Sequence, residues 1–295
     1  SPEEIRRRKI LKKGIQFTLL VCGEEGTGKA SFINTLCNQE VISKTESKNY
    51  YPPNAHLNPG LNILKKHVDI IEENATPISL EIILTPGFGD NINNNDCTGK
   101  VIDFLEQQFD SVLREECRIR RNTKFEDGRP HACLYFIRAT SKGLRELDVE
   151  AMKNLSTRVN VIPVISKSDT LTEDELSLNK ALILQDIRAN GISVYDFSLD
   201  IDDDSESVDE QMFLKNGLPF AVSGSYETIV DDNDDISHIR EYPWGTFRVE
   251  DLNHSDFNYL KNVLFGSHLQ ELKESTHSVL YENFRRIRLL ENTKY

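Results

Sequence analysis

The nine residues GEEGTGKAS, Gly23 to Ser31, constrain this chain more than any other stretch. They follow IQFTLLVC (Ile15 to Cys22), an apolar run of strand length, and open a helical stretch from Lys29 to Cys37. Strand, glycine-rich loop and helix in that order make a phosphate cradle. Gly23, Gly26 and Gly28 let the backbone curl so that successive N–H groups point at phosphate oxygens, and the helix N-terminus adds its positive end. Lys29 supplies a point charge for the outer phosphates, and Glu24, Glu25 and Thr27 complete the loop. A glycine-rich turn alone would be weak evidence; the flanking strand and helix make it strong. One position departs. The residue after the lysine ordinarily ligates Mg²⁺ through a hydroxyl, and here it is Ala30. Ser31 follows, but one step along a helix turns the side chain by about 100°, so it is a poor substitute.

The rest of the chain repeats the alternation. Strands are expected at Ile63 to Ile71, Ile78 to Leu84, Ala132 to Arg138, Val159 to Ile165 and Leu218 to Val222. Helices are expected at Val101 to Arg114, Leu147 to Ser156 and Glu173 to Asn190. Such alternation predicts an α/β fold: a mostly parallel sheet, covered on both faces, with right-handed crossovers. Ligands then bind where loops leave the carboxyl ends of the strands, and every motif here falls at such an end. The first two of these strands are close enough to pair as a hairpin. Val41 to Asn62, rich in Pro, Asn and Ser, reads as a long loop. From Asp256 to Leu290 the chain is helical again. Phe257, Leu260, Val263 and Leu264 share one face, and Leu269, Leu272, Val279 and Leu280 share another approximately.

Three further elements bear on chemistry. LTPGFGD (Leu84 to Asp90) stands where a GTP-binding switch has Asp-x-x-Gly, whose aspartate steers magnesium and whose glycine N–H reads the γ-phosphate. Gly87 is present, but Leu84 has replaced the aspartate. A switch threonine is expected upstream; between Thr45 and Thr76 there is none, and the ungapped position is Leu61. Three departures therefore fall on metal-assisted cleavage while the phosphate cradle survives. Metal polarisation stabilises the transition state by several kcal/mol, so hydrolysis should be nearly abolished. Finally, SKSD (Ser166 to Asp169) matches the motif in which an aspartate accepts from guanine N1–H and its amino group while the lysine stem covers the base. Adenine would leave that carboxylate unpaired, so Lys167 and Asp169 argue for guanine.

Bulk properties narrow the partners. Of 295 residues, 38% are hydrophobic and 28% charged, the balance of a folded soluble chain and not a disordered one. No apolar run approaches the roughly 18 residues of a membrane-spanning helix, and no apolar leader is evident. Five cysteines without paired spacing suggest no zinc site or disulfide framework, and so a reducing, intracellular setting. The net charge of −13 opposes nucleic-acid binding, but it is uneven. RRRKILKK contributes Arg6, Arg7, Arg8, Lys9, Lys12 and Lys13, while acid gathers at 200–210 and 231–235, read as solvated loops. The basic cluster is expected to attract anionic lipid headgroups, at about 1 kcal/mol per residue.

Together these stretches resemble the septin family over nearly the whole chain. The specific marks are TPGFGD, CLYFI followed by GLRELD, VNVIPVISKSDTLTEDE, LPFAVSGS and REYPWG followed by VEDLNHSDF. Within the family the chain looks most like the fungal subunit that caps the end of the septin rod. The resemblance implies a P-loop GTPase (G) domain on a six-stranded sheet over 14–238, preceded by the polybasic segment 1–13. A septin-unique element with C-terminal helices is expected over 239–295. It also implies that Gly224 and Arg240 flank the base, and that the nucleotide lies inside a subunit contact. Thr170 and Glu175 match residues that reach the neighbour's nucleotide. Lys142 stands where many septins carry a phosphate-directed histidine. The Trp244 region and the terminal helices match the element that builds the opposite subunit contact. The basic segment matches the one associated with phosphoinositides. Septins usually continue into a coiled coil, an element expected to be missing from this sequence, which stops at Tyr295.

The expectation is therefore a filament-forming scaffold for cytokinesis, in the cytoplasm, at the cell cortex and in the septin ring of the division site. Its partners would be other septins, itself and anionic membrane. GTP or GDP would be held weakly or not at all, without Mg²⁺ and with no catalytic residue. Two alternatives stay open: a slow working GTPase relying on Ser31 or a neighbour, and a subunit that carries no nucleotide.

Overall fold

From Phe17 onward every residue of β1 (Ile15–Gly23) is buried, because the strand runs through the middle of a sheet covered on both faces. The computed structural model describes residues 14–46, 61–72, 75–90, 94, 96–120, 122–140, 142–197, 212–214, 217–230 and 236–292. The basic segment holding Arg6 to Lys13 and the acidic stretches 200–210 and 231–235 lie outside the described residues. Six strands form the main sheet in the order β2-β3-β1-β4-β5-β6. They are β1, β2 (Leu64–Ile70), β3 (Ile78–Leu84), β4 (Ala132–Arg138), β5 (Val161–Ser166) and β6 (Phe220–Val222). All neighbours are parallel except β2 and β3, which pair as the expected antiparallel hairpin.

Strand alternation sorts the core into two layers. Phe17, Leu19 and Val21 face a cluster with Phe32, Ile33 and Leu36 of helix α1 (Lys29–Cys37). Leu20 and Cys22 face a second cluster built with α2 (Cys97–Glu116), α3 (Glu146–Leu155) and α4 (Glu173–Ala189). Each fully buried large apolar side chain contributes about 1.5–3 kcal/mol, so both layers are needed to hold the central strand. The outer strand β2 instead exposes Lys65, His67 and Asp69, charges that suit an unpaired sheet edge.

A second, three-stranded antiparallel sheet was not anticipated: β7 (Glu227–Val230), β8 (Ile236–Tyr242) and β9 (Gly245–Arg248). REYPWG is its second hairpin, in which Tyr242 pairs with Gly245 around Pro243 and Trp244. The expected domain boundary between 238 and 239 therefore falls inside β8.

The terminal helices are α5 (Phe257–Asn262), α6 (Leu269–Ser275) and α7 (Glu282–Asn292), joined by wide turns at Val263–Ser267 and Thr276–Tyr281. The first expected apolar face holds: Phe257, Leu260, Val263 and Leu264 are buried. The second fails beyond Leu272, since Val279 is exposed while Tyr281 and Phe284 are buried. The π-type turn, with i→i+5 spacing, rotates the stripe away from the 3.6-residue period that the sequence pattern assumes. These helices run to the strands' N-terminal end. There the Asn160 amide donates to His131 O (2.8 Å) and Leu272 O (3.1 Å). His131 Nδ1 accepts from Thr18 N at 2.9 Å, and burial pushes its imidazole pKa down to about 4, keeping it a neutral acceptor.

Candidate functional site

The motifs gather at the opposite, carboxyl end of the sheet. After β1 the loop turns through Gly26 (φ +74°) and Gly28 (φ +81°), left-handed conformations that glycine adopts without a Cβ clash. Gly28 caps α1, whose first N–H groups have no partner within the helix. Lys29, 6% exposed, curls back over the loop: its Nζ lies 2.6 Å from both Gly23 O and Glu24 O. Burial pushes its pKa down to about 8, although Asp90, Glu25 and Glu24 pull the other way. Ser31 Oγ is buried and meets no hydrogen-bond partner. The loop's shape is also held from outside. Glu25 N donates to Asp90 Oδ1 (2.9 Å), and Glu24 forms ion pairs with Arg138 (3.0 Å) and Arg145 (2.8 Å).

The three metal-related positions are apolar in structure as in sequence. Ala30 packs half-buried on the first core cluster, and Leu84 is inside it. Leu61 packs on the second cluster, held beside the TPGFGD turn by Asn62 N donating to Pro86 O (3.1 Å). Gly87 sits in that turn with φ +85°.

The base end is arranged differently. Lys167 adopts φ +52° after β5, and its stem lies within 4 Å of where a Cβ on Gly28 would stand. The lysine chain thus lies beside Gly28 of the phosphate loop. Asp169 follows, its side chain fully enclosed. Its Oδ1 accepts from Ser223 Oγ (2.7 Å); its Oδ2 accepts from Arg240 NH1 (2.9 Å) and from the Tyr242 hydroxyl. Burial opposes ionisation of Asp169, but the Tyr242 and Ser223 hydrogen bonds and the Arg240 charge outweigh it and hold the carboxyl below its ordinary range. Arg240 Nε also donates to Gly224 O at 2.9 Å. Gly224 is there because nothing larger fits: a Cβ would sit 2.5 Å from Phe32 N and 2.6 Å from Ser31 C. Strand β6 and the phosphate helix are thus locked together. Between them Thr27, Gly28, Lys167, Ser223, Gly224 and Arg240 line a cleft of about 10 Å³, room for about one water.

Sequence reasoning placed the glycines, Lys29, Lys167, Asp169, Gly224 and Arg240 at one site, and the structure brings all of them together. It missed Ser223, Tyr242 and Asp90, though each stands inside a quoted motif. Lys142, Thr170 and Glu175 are exposed on segments that follow β4 and β5. The Glu175 carboxylate caps α4 by accepting from Thr172 N (2.9 Å). Trp244 lies on the β8–β9 hairpin, whose Tyr242 reaches Asp169 at the nucleotide site. Trp244 is 79% exposed and stacks on Tyr242, centroids 4.9 Å apart, so it joins the guanine-motif aspartate through one ring. The meander β7–β9, unseen in the sequence, is what carries it there.

The septin family model matches residues 13–295. Cell division control protein 11 of Saccharomyces cerevisiae is 44% identical over 284 residues, 95% of this chain and 68% of that protein. Sporulation-regulated protein 28 of the same yeast is 43% identical over 321 residues, 97% of this chain and 76% of that protein. A crystal structure of Cdc11 from the same organism superposes with a TM-score of 0.60 at 33% identity, covering 93% of this chain and all of that one.

Proposed function

The chain belongs to the septin family, and from that premise we propose that it is a filament-forming assembly subunit whose guanine-nucleotide site is structural and not hydrolytic. One observation carries the second half. Ala30, Leu84 and Leu61, which occupy the three positions of metal-assisted cleavage, all pack against apolar cores. None of these three side chains offers an oxygen to Mg²⁺, and that donor set does not fit the ion.

The cradle does fit phosphate. The left-handed glycines and the free first-turn N–H groups of α1 are shaped for an anion. The unpartnered Ser31 hydroxyl is a group that a phosphate oxygen would satisfy. Lys29 would exchange two carbonyl partners for phosphate. Asp169 would read the guanine edge, with Lys167 over the base and Gly224 and Arg240 beside it. The nucleotide would supply a rigid, charged filler for a subunit contact, to which exposed Lys142, Thr170 and Glu175 would add groups for the neighbour's site. A second reading, a subunit that carries no nucleotide, is favoured by the pairing of Asp169 with three of the chain's own donors.

Relatives named for cell division, septation and septins support partnership with other septin subunits in the ring at the division site. Residence in the cytoplasm and at the cell cortex, and binding of phosphoinositide membrane by Arg6, Arg7, Arg8, Lys9, Lys12 and Lys13, belong to the same proposal.

Single-turnover GTP hydrolysis in Mg²⁺ tests the main reading. Phosphate release should stay at the buffer background, and release at the rate of a working GTPase overturns it. Chromatography of nucleotide extracted from the purified protein separates the two readings: stoichiometric GDP or GTP rejects the second.

A further inference from the structure

Asp169 is the carboxylate expected to read guanine, yet all its hydrogen bonds are made inside the chain. A carboxylate offers about four lone-pair sites on two oxygens. Three donors already occupy three of them: Ser223 Oγ on Oδ1, and Arg240 NH1 with the Tyr242 hydroxyl on Oδ2. Its side chain is fully enclosed, so no base edge reaches it in this arrangement. Two of these three donors are well anchored. Ser223 follows directly on β6, and the Arg240 guanidinium is pinned a second time by Gly224 O. Tyr242 is not. It ends β8 at the hairpin turn, and its ring stacks on Trp244, which is itself mostly exposed.

We propose that Tyr242 is an internal stand-in for the guanine edge, a latch whose hydroxyl closes the base site and must leave Asp169 before the nucleotide can bind. This rests on the reading that the site takes guanine nucleotide. Its chemistry is a competition for one acceptor. Guanine brings two donors to Asp169, and the phenol holds part of that capacity beforehand. Affinity is then reduced by the fraction of molecules in the closed arrangement. Opening also disturbs the stack on Trp244, the chain's single tryptophan, so displacement is visible in its fluorescence.

The test is a GDP titration of the purified full chain and of Tyr242→Phe, read by heat and by Trp244 emission. Phenylalanine keeps the ring and the stack but gives up the hydroxyl. A charge-assisted hydrogen bond is worth about 1.5–3 kcal/mol, so the variant should bind GDP about tenfold tighter. Trp244 emission of the parent should change with the same midpoint as the heat. Equal or weaker binding by the variant overturns the latch, as does an emission that stays constant while GDP saturates the protein. Absence of binding in both proteins also overturns it, because removing the latch would then expose nothing. A second measurement needs no nucleotide: urea unfolding of Tyr242→Phe, Asp169→Asn and the double variant. Non-additive effects are expected, and strict additivity overturns the contact. The guanine-nucleotide reading fails by absence of GDP binding in both proteins, whereas equal or weaker binding by the variant sinks the latch alone, so the two failures are separable.

Discussion

At the phosphate end of the cleft the donors are backbone N–H groups and one lysine; at the base end they are side chains already paired with one another. The first end keeps its shape without a ligand because glycine conformations and a helix start define it. The second would leave an enclosed carboxylate without partners, which is costly, so the protein supplies them itself from Ser223, Arg240 and Tyr242. A backbone cradle can wait for an anion. A buried charge cannot wait for a base, and on the proposed reading that difference makes the base end the place where nucleotide affinity would be set.

The largest effect should follow from breaking the base end. Asp169→Ala leaves three donors facing an apolar methyl, among them Arg240, whose side chain is 30% exposed. Removing one partner of a fully buried pair costs about 3–5 kcal/mol, and partial exposure of the arginine brings this to the low end, about 3 kcal/mol. Urea denaturation of the nucleotide-free protein measures it. A loss below about 1 kcal/mol would mean that the network contributes little and that the two ends do not differ as argued.

The phosphate end responds to pH through Lys29. Its folded-state pKa of about 8 lies below the ordinary lysine value, so between the two the unfolded chain binds more protons. Stability of the nucleotide-free protein should therefore rise with pH above about 8. Anion binding needs the cation, so GDP affinity should move the other way, falling about tenfold between pH 7 and 9. Thermal melts and titrations at fixed ionic strength check the two directions. Affinity that does not change over this range would show that the backbone N–H groups hold the phosphates without the lysine.

How much of this was legible in the sequence depends on how local each cause is. The phosphate loop, its glycines and its lost hydroxyl lie within nine consecutive residues and could be read directly. The sheet was legible because its buried strands are long apolar runs. β7 and β9 were not: each is four residues long and mostly exposed, so neither carries a burial pattern. Tyr242 was invisible for a different reason. It lies 73 residues from Asp169, and nothing in REYPWG says which way its hydroxyl points. The face shift at Thr276–Tyr281 is backbone geometry that a fixed helical period cannot express. Asp90 lay in plain sight in LTPGFGD, but its bond to Glu25 N depends on two loops meeting in space.

The smallest expected effect is also the most selective. Trp244 is 79% exposed, so Trp244→Ala removes little buried area. Its one described partner ring is Tyr242, nearly parallel at 4°. An aromatic pair is worth about 0.5–1.5 kcal/mol beyond burial, and exposure places this one at the lower end. Stability should fall by no more than about 0.5 kcal/mol, while GDP affinity rises about twofold because the latch ring loses its support. Melting curves and calorimetric titration measure both in one preparation. If Trp244→Ala instead weakens GDP binding, the indole supports the open arrangement and not the closed one. The hairpin tip would then be part of the nucleotide's own pocket, and the contrast between a waiting phosphate end and a self-filled base end would have to be redrawn around it.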